Sequence, residues 1–476
     1  MSDATLPPVA AGAQAGQGRA EREALEIEGA GERLPRGTTA RSLNADVLRM
    51  LERPGPLWWA VFTLDLLVLA IGGLALRNQF VLGLGVGGWT RPVMWASYIT
   101  NFVFWVGIAH CGTLVSAILY LFRSHFRRAV YRVSEAMTVF AVLTAGLFPI
   151  LHLGRNWFAY WLFPYPNQRG FWPNFRSPLE WDVFAVSTYL TLSAIFFFVG
   201  LIPDIAVARD RATNRWLRLL YRALACGWTG SNTQWRHFYG AYLYFAALCT
   251  PLVLSVHSVV SWDFAMAQVP GWHSTIFAPY FVAGAIFSGV ALVINLFIVI
   301  RKAFHIEHIV TIDHLEKLAK LVLLTSCIVT YSYLTEFFMA WFGPSQVERS
   351  VFLDRVFGHF AGAAWTMYAC NVFIPGLLWF KRVRRSIPAL FVIAVLVNVG
   401  MWLERFVIIC QSLAHSFEPY TWNINYRLSM TELAVTVGAL AWFFMFFLVF
   451  VKVLPAVPIA ELKETLPPPR RQEARA

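Results

Sequence analysis

Charge is scarce in this 476-residue chain: 14% of its residues are Asp, Glu, Lys or Arg, against 58% hydrophobic ones. With a mean hydropathy of +0.55, that excludes an ordinary soluble domain, in which about a quarter of residues are charged. Cysteine is scarce too, and the six present (Cys111, Cys226, Cys249, Cys327, Cys370 and Cys410) are scattered. No CxxC pair, no CxxCH haem-attachment motif and no zinc spacing occurs. The chain is therefore expected to hold no metal, no iron–sulfur cluster and no covalent haem of its own. The cysteines read as small apolar helix residues. Residues 1–50 also lack the apolar core of a signal peptide. Rich in Ala, Gly, Glu and Arg, they read as a partly disordered tail.

What the chain has in excess is long apolar runs. Ten, at 56–76, 95–122, 133–151, 182–202, 239–261, 276–300, 317–341, 359–380, 388–410 and 432–454, each approach the ~20 residues that cross a bilayer. The sequence predicts an all-α integral membrane protein of ten transmembrane helices. Its expected layout is a tail at 1–52, a membrane domain at 53–455 and a Pro-rich, charged tail at 456–476. The net charge of +12 first suggests nucleic acid, but its distribution argues otherwise. With ten alternating spans, the loops and tails on the side of the N-terminus hold 30 of the 39 Lys and Arg. The opposite loops hold 8, and Arg405 lies inside a span. Clusters such as Arg123, Arg127, Arg128 and Arg132, or Lys381, Arg382, Arg384 and Arg385, follow the positive-inside bias of a bacterial inner membrane. Both termini are expected in the cytoplasm. Attraction to anionic lipids is a secondary consequence, and no nucleic-acid partner is expected. In the loop 203–238, Arg209, Arg211, Arg215, Arg218 and Arg222 interleave with Trp216, Leu217, Leu219 and Leu220, as in an amphipathic helix on the inner surface.

Ionisable groups in hydrocarbon are costly, so each is a functional candidate. His152 ends the third span and Asp182 begins the fourth, at one membrane surface. His257, Asp263, Glu336, Glu404 and Arg405 fall on the same, non-cytoplasmic side. Asp65, His110 and Glu135 lie midway or deeper. Between His152 and Asp182 runs a connection with Trp157, Tyr160, Trp161, Phe163, Tyr165, Phe171, Trp172, Phe175 and Trp181. Most of these suit an interfacial belt; some, with Phe148 and Trp181 nearest the two protonatable groups, suit the wall of a quinone head-group pocket. A neutral imidazole at His152 bonds a quinol hydroxyl without charge transfer, and Asp182 is a proton acceptor for it. The competing reading makes His152 a helix cap and Asp182 a residue favoured by the helix dipole. Glu404 and Arg405 point roughly 100° apart on a helix, so each is expected to meet a partner on another helix. Asp182, Asp263 and Glu336 are candidates for Arg405, and Glu404 and Arg405 are themselves expected among the quinol-binding residues. Thr325, Ser332 and Glu336 share a face, read first as helix–helix glue. A proton pathway through Asp65, His110, Glu135, His257, Asp263 and Glu336 is the further expectation.

The segment Pro149-Ile-Leu-His-Leu-Gly-Arg-Asn-Trp-Phe-Ala-Tyr-Trp-Leu-Phe-Pro-Tyr-Pro166, with Trp172-Pro-Asn-Phe-Arg-Ser-Pro-Leu-Glu-Trp-Asp182 and Met401-Trp-Leu-Glu-Arg-Phe-Val-Ile408, resembles the polysulfide-reductase membrane-subunit (NrfD-like) family. Within it, the chain is similar to the quinol-oxidising membrane subunit of alternative complex III. The resemblance covers about 50–455. It implies two four-helix bundles, spans two to five and six to nine, flanked by spans one and ten. It implies oxidation of menaquinol or ubiquinol near the periplasmic face at His152 and Asp182. Electrons would pass to a periplasmic iron–sulfur subunit and then to c-type haem (cytochrome) subunits, with a second NrfD-like membrane subunit alongside. One departure stands out: Leu428-Ser-Met-Thr-Glu432 lacks the proline such subunits often carry before span ten.

Two other classes remain open. A haem-b carrier would use His110, His257 or His359, although no within-helix pair repeats at a spacing suited to stacked haems. A non-redox ion or solute transporter fits ten spans, although no paired Gly/Pro-broken helices occur at matching positions.

Overall fold

The computed structural model describes residues 38–124, 126–162, 178–417, 422, 426–464 and 466. All regular structure among them is helical. Ten helices are long and apolar enough to cross a membrane, each on one of the apolar runs. They are α1 (Pro56–Leu82), α2 (Ala96–Leu121), α3 (Arg127–Leu151), α4 (Glu180–Arg211), α5 (Asn232–Ala265), α6 (Phe277–Ala303), α7 (Ile312–Phe342), α8 (Ala361–Trp379), α9 (Ile387–Ala414) and α10 (Met430–Val453). Several outrun their apolar stretch, because a helix needs no hydrocarbon once its terminal groups are capped or hydrated. In α5 the extension is held by Ser231, whose Oγ accepts from Gln234 N at 3.3 Å.

In the first group of helices, α2 and α4 each pack on α3 and α5; in the second, α6 and α8 each pack on α7 and α9. The groups meet where α6 lies against α2 and α5. Helix α10 packs on α3, and α1 packs on α10 with most of its surface left outward. The α1–α10 crossing is close: a Cβ added to Gly72 would lie 2.8 Å from Gly438 Cα. Small residues at such crossings replace the hydrophobic force that lipid does not supply. Gly438→Ala should therefore splay α1 from α10 and cost about 1–3 kcal/mol. A thermal unfolding midpoint in detergent equal to wild type would contradict this.

Without the proline that the resemblance led one to expect, the turn before α10 is built on a carboxylate. Ser429 caps the helix, accepting from Glu432 N at 3.2 Å. The fully buried Glu432 accepts from Gly88 N (2.9 Å), Trp89 Nε1 (2.8 Å), Ser97 Oγ (2.7 Å), Ser429 N (3.0 Å) and the Tyr426 hydroxyl. Charge-assisted bonds of this number tie α10 to the α1–α2 connection and to α2.

The face bearing the basic clusters is more built than a pair of tails. Residues 38–52 include a helix, Ala40–Leu48, that buries Leu43 and Val47. Residues 456–464, placed in the C-terminal tail by their composition, bury Ala456, Val457, Ile459 and Leu462. The folded unit therefore extends beyond 53–455 at both ends, because a few apolar residues in each segment find the helix ends to pack on. Arg127 and Arg132, counted as topology charges, are buried here. Arg127 Nη2 pairs with Glu461 Oε2 at 2.7 Å between the rings of Tyr120 and Tyr131. Arg132 Nη2 pairs with Asp204 Oδ2 at 2.8 Å, and Ala460 N donates to the other oxygen of Asp204 at 2.9 Å. The amphipathic helix expected in 203–238 is present at Arg215–Leu224, capped by Asn214, with Trp216, Leu219 and Leu220 exposed.

Candidate functional site

At the opposite face, α3 closes in a short turn through Pro149, and His152 caps it. Its Nδ1 lies 2.8 Å from the Phe148 carbonyl. A carbonyl only accepts, so Nδ1 carries the proton and Nε2 keeps its lone pair. No hydrogen bond to Nε2 occurs among the described residues. Burial holds this imidazole below its ordinary value of 6.5, outweighing the upward pull of the Phe148 carbonyl. The ring lies 5.0 Å from that of Trp95, which caps α2 in the left-handed region, at φ 54°. Trp95 Nε1 is buried without a partner. Below them Tyr98 OH donates to Gln79 Oε1 (2.6 Å), and Gln79 Nε2 donates to Leu151 O (3.0 Å). Phe148 packs on Tyr98 with 1% of its surface exposed. It supports the His152 turn rather than walling an open pocket.

Asp182, in the first turn of α4, is buried against Asp263 near the end of α5, the two carboxyls in hydrogen-bonding contact. One oxygen of each, Oδ1, is buried with no further donor among the described residues. Trp181 and Trp262 meet edge to face beside them, ring centroids 6.0 Å apart. His152 and Asp182 thus stand at one face on adjacent helices, with no bond between them among the described residues. Of the aromatic connection, Trp157 and Tyr160 are exposed. Phe163, Tyr165, Phe171, Trp172 and Phe175, like the side chain of Trp161, lie outside the described residues.

Deeper in α2–α5, the His110 ring stacks on Tyr189 at 4.6 Å and meets His257 at 4.7 Å. Tyr189 OH donates to Thr113 Oγ1 (3.0 Å), which lies 3.3 Å from Ser193 Oγ and 3.5 Å from Thr138 Oγ1. One turn along α3 from Thr138, Glu135 accepts from Tyr242 OH at 2.9 Å. Among the described residues the Phe281 backbone is the hydrogen-bonding group that reaches His257, and only loosely. His110 and His257 do not suit a shared haem. Two axial imidazoles flank the porphyrin plane, whereas these rings are tilted and in contact, with Tyr189 and Phe281 against them. His359 is exposed, before the start of α8.

In α6–α9 the structure corrects the expected pairing. Arg405 Nη1 lies 3.1 Å from Glu404 Oε1. Long side chains curl together even from positions 100° apart when nothing better is in reach. Arg405 also covers the Phe281 ring at 3.9 Å, which places Phe281 between it and His257. Glu404 accepts from Tyr333 OH, and that hydroxyl accepts from Asn371 Nδ2 at 2.8 Å. Glu336 pairs not with Arg405 but with Arg355, at 3.4 Å. Arg355 stands on a short helix, Gln346–Phe357, and its Nε donates to Gln411 Oε1 at 2.9 Å. The sequence reading missed Arg355, Tyr333, Asn371 and Gln411. A signal for Arg355 exists in the spacing Val351, Phe352, Arg355, one buried stripe of an amphipathic helix. Thr325 and Ser332 share the Glu336 face as expected, but their hydroxyls donate to Leu321 O and Ile328 O of their own helix. Ser326 is the residue that bridges helices, to Asn371 O at 2.7 Å. Asp65 stands apart from both lines, facing a crevice between α1, α6, α9 and α10.

The chain is 28% identical over 259 residues to a putative dimethyl sulfoxide reductase membrane subunit of Halobacterium salinarum, covering 54% of each chain. It is 21% identical over 313 residues to a selenate reductase subunit of Mesobacillus selenatarsenatis, covering 62% of this chain and 68% of that one. The match thus spans about half the length of the first relative and about two thirds of the second. The family model described as polysulphide reductase, NrfD, matches residues 85–416, from the entry to α2 to the end of α9. The chain belongs to the NrfD polysulphide reductase family.

Proposed function

We propose that this chain is the quinol-binding membrane subunit of a multi-subunit oxidoreductase. It would oxidise menaquinol or ubiquinol at the face opposite its basic clusters, the periplasmic face. The observation that carries this reading is the conjunction there of a histidine and a buried carboxyl pair, with His152 Nε2 and one oxygen of each carboxyl unpartnered among the described residues. A quinol presents two O–H donors. His152 Nε2 accepts one, and the Asp182–Asp263 pair takes the other, since two carboxyls in contact hold a shared proton more readily than two charges. Trp95 and Trp181 give the head group flat apolar flanks. Each quinol releases two protons and two electrons. The protons leave from this face, and the electrons go to an iron–sulfur subunit and then to c-type haem subunits, as in alternative complex III. The named relatives are subunits of reductases, and quinol oxidation would feed those equally. Bacterial inner membrane placement, with cytoplasmic termini, follows from the charge asymmetry.

The test is quinol oxidation by the purified intact complex, wild type against His152→Ala, with partner haem content reporting assembly. Lost turnover in an assembled complex supports the site. Unchanged turnover moves the search to Glu336, Arg355 and Glu404. Protonation would remove the Nε2 lone pair, so turnover should fall on the acid side. Because burial lowers the imidazole pKa, that fall should come below pH 6.5. An acid limb above that value, absent in His152→Ala, would contradict the assignment.

The buried line from Glu135 through Tyr189, His110 and His257 to Arg405 and Glu404 suits proton movement across the membrane. Glu135→Gln and His110→Phe are expected to lower the proton-to-electron ratio without abolishing quinol oxidation. Ratios equal to wild type in both would sink the translocation reading.

A further inference from the structure

Helices α1, α2, α6, α9 and α10 enclose a crevice of about 980 Å³, walled almost wholly by apolar side chains. It runs from Trp58 and Phe304 near the basic face to Trp402 and Leu433 near the opposite one. A few polar side chains break the wall. Among the described residues, two acceptors in it, Asp65 Oδ2 on α1 and Asn398 Oδ1 on α9, have no hydrogen-bond partner, and neither does one donor, Trp58 Nε1. The Asn398 amide nitrogen is already used, donating to Ala394 O at 2.9 Å. Of the other amides in the wall, Asn101 is satisfied by Thr436 and Trp402, and Asn295 by the Phe391 carbonyl and Val395 N when its amide is turned to meet them. Helices α1 and α9 run in the same direction. At 1.5 Å per residue, Asp65 and Asn398 stand at matching depths, about 14 and 17 Å from the basic-face ends of their helices.

We infer that this crevice is a second binding site, for a quinol held by its hydroxyls at mid-membrane depth. The inference rests on the reading that the complex handles quinol at all. Two unpartnered oxygens in hydrocarbon call for O–H donors, because an unmet acceptor there is costly. A phospholipid cannot supply them, since its polar head stays at the interface. A quinol can: it carries two O–H groups on a flat ring, and an isoprenoid tail long enough to follow Val437, Leu440 and Phe444 along α10. The oxidised quinone presents acceptors to acceptors and is the poorer ligand. The site is separate from His152 and Asp182, whose helices α3 and α4 do not line it.

The test uses an azido-quinol, kept reduced, on the intact complex, with labelled peptides mapped. Labelling of α1 or α9 near Asp65 and Asn398 is expected. It should fall about tenfold in Asp65→Leu and in Asn398→Leu, the loss of one hydrogen bond to a buried acceptor. Labelling at the outer ends of α3 and α4 should persist in both variants. The oxidised azido-quinone should label the crevice less than the reduced probe. Labelling near His152 alone overturns this inference and leaves the first site standing. Labelling at neither place overturns both. Equal labelling by the two redox forms, preferential labelling by a photoreactive phosphatidylglycerol, or a helix from a partner protein cross-linked to Asp65 would each show another occupant. Asp65→Asn guards against misfolding: it keeps the size of the side chain and an acceptor oxygen, and should retain labelling.

Discussion

Asp182→Asn lowers quinol oxidation about 10²–10⁴-fold, the range set by removing a positioned proton acceptor, while partner subunits remain assembled. Asparagine keeps the shape of the side chain and its contact with Asp263, so packing beside Trp181 and Trp262 survives. What is lost is the ability to take a proton. Asp263→Asn removes the same ability from the other half of the pair and should fall in the same direction by less, because Asp182 is still there to receive the proton. The double variant should be no worse than Asp182→Asn by more than the Asp263→Asn loss, since the two act as one acceptor. Steady-state turnover on the purified complex, with apparent KM separated from kcat, checks this. A rise in KM alone would make the pair a binding device. Wild-type kcat in Asp182→Asn would exclude it as the acceptor.

Arg355→Met destabilises the chain by about 3–5 kcal/mol, the usual cost of leaving a buried charge alone. Against a typical total of about 5–15 kcal/mol, that is a large share of the stability and should lower the yield of assembled protein. Both partners of the pair are nearly inaccessible, 2% for the Arg355 side chain and 3% for Glu336. Arg355 also orients Gln411, whose amide reaches the Val351 carbonyl, so one substitution unties the short helix from α9. The double change Arg355→Met with Glu336→Leu should recover most of the loss, because an apolar pair of similar size needs no compensation. Thermal unfolding in detergent, read for the single and double variants, decides it. A double variant as unstable as Arg355→Met would show that Gln411, and not the charge, is what Arg355 serves.

The sequence locates all ten spans because a run of apolar residues and a membrane's thickness are both one-dimensional quantities. It misses their ends where the chain leaves hydrocarbon. At Arg127–Arg132 and Ile312–Glu316 the helix continues on capping and ion pairs that hydropathy does not register. The candidate site was legible as chemistry but not as pairing. His152 and Asp182 stand out because ionisable groups at span ends are few. That Asp182 meets Asp263, Glu404 meets Tyr333 and Glu336 meets Arg355 depends on how helices rotate against each other, which one chain's pattern does not encode. Arg355 was overlooked for a different reason: it lies between spans, where an arginine is ordinary, and its spacing with Val351 and Phe352 gains meaning only once Gln346–Phe357 is known to be a helix. Asp65 shows the converse. Its place in a span marked it as part of a proton line, but α1 sits outside both helix groups and turns it to the crevice.

The ion pair between Arg127 and Glu461 joins residues 334 positions apart. Arg127 enters the membrane region with the third helix, whereas its counter-ion is made after the tenth. During synthesis the guanidinium has the Tyr120 and Tyr131 rings, and later that of Tyr242, as company, but no counter-ion at this contact until α10 has been made. This corner of the basic face therefore closes only after all ten helices have been synthesised. A ribosome stalled just after α10 would leave those helices in place and the corner still open to whatever anion the cell supplies.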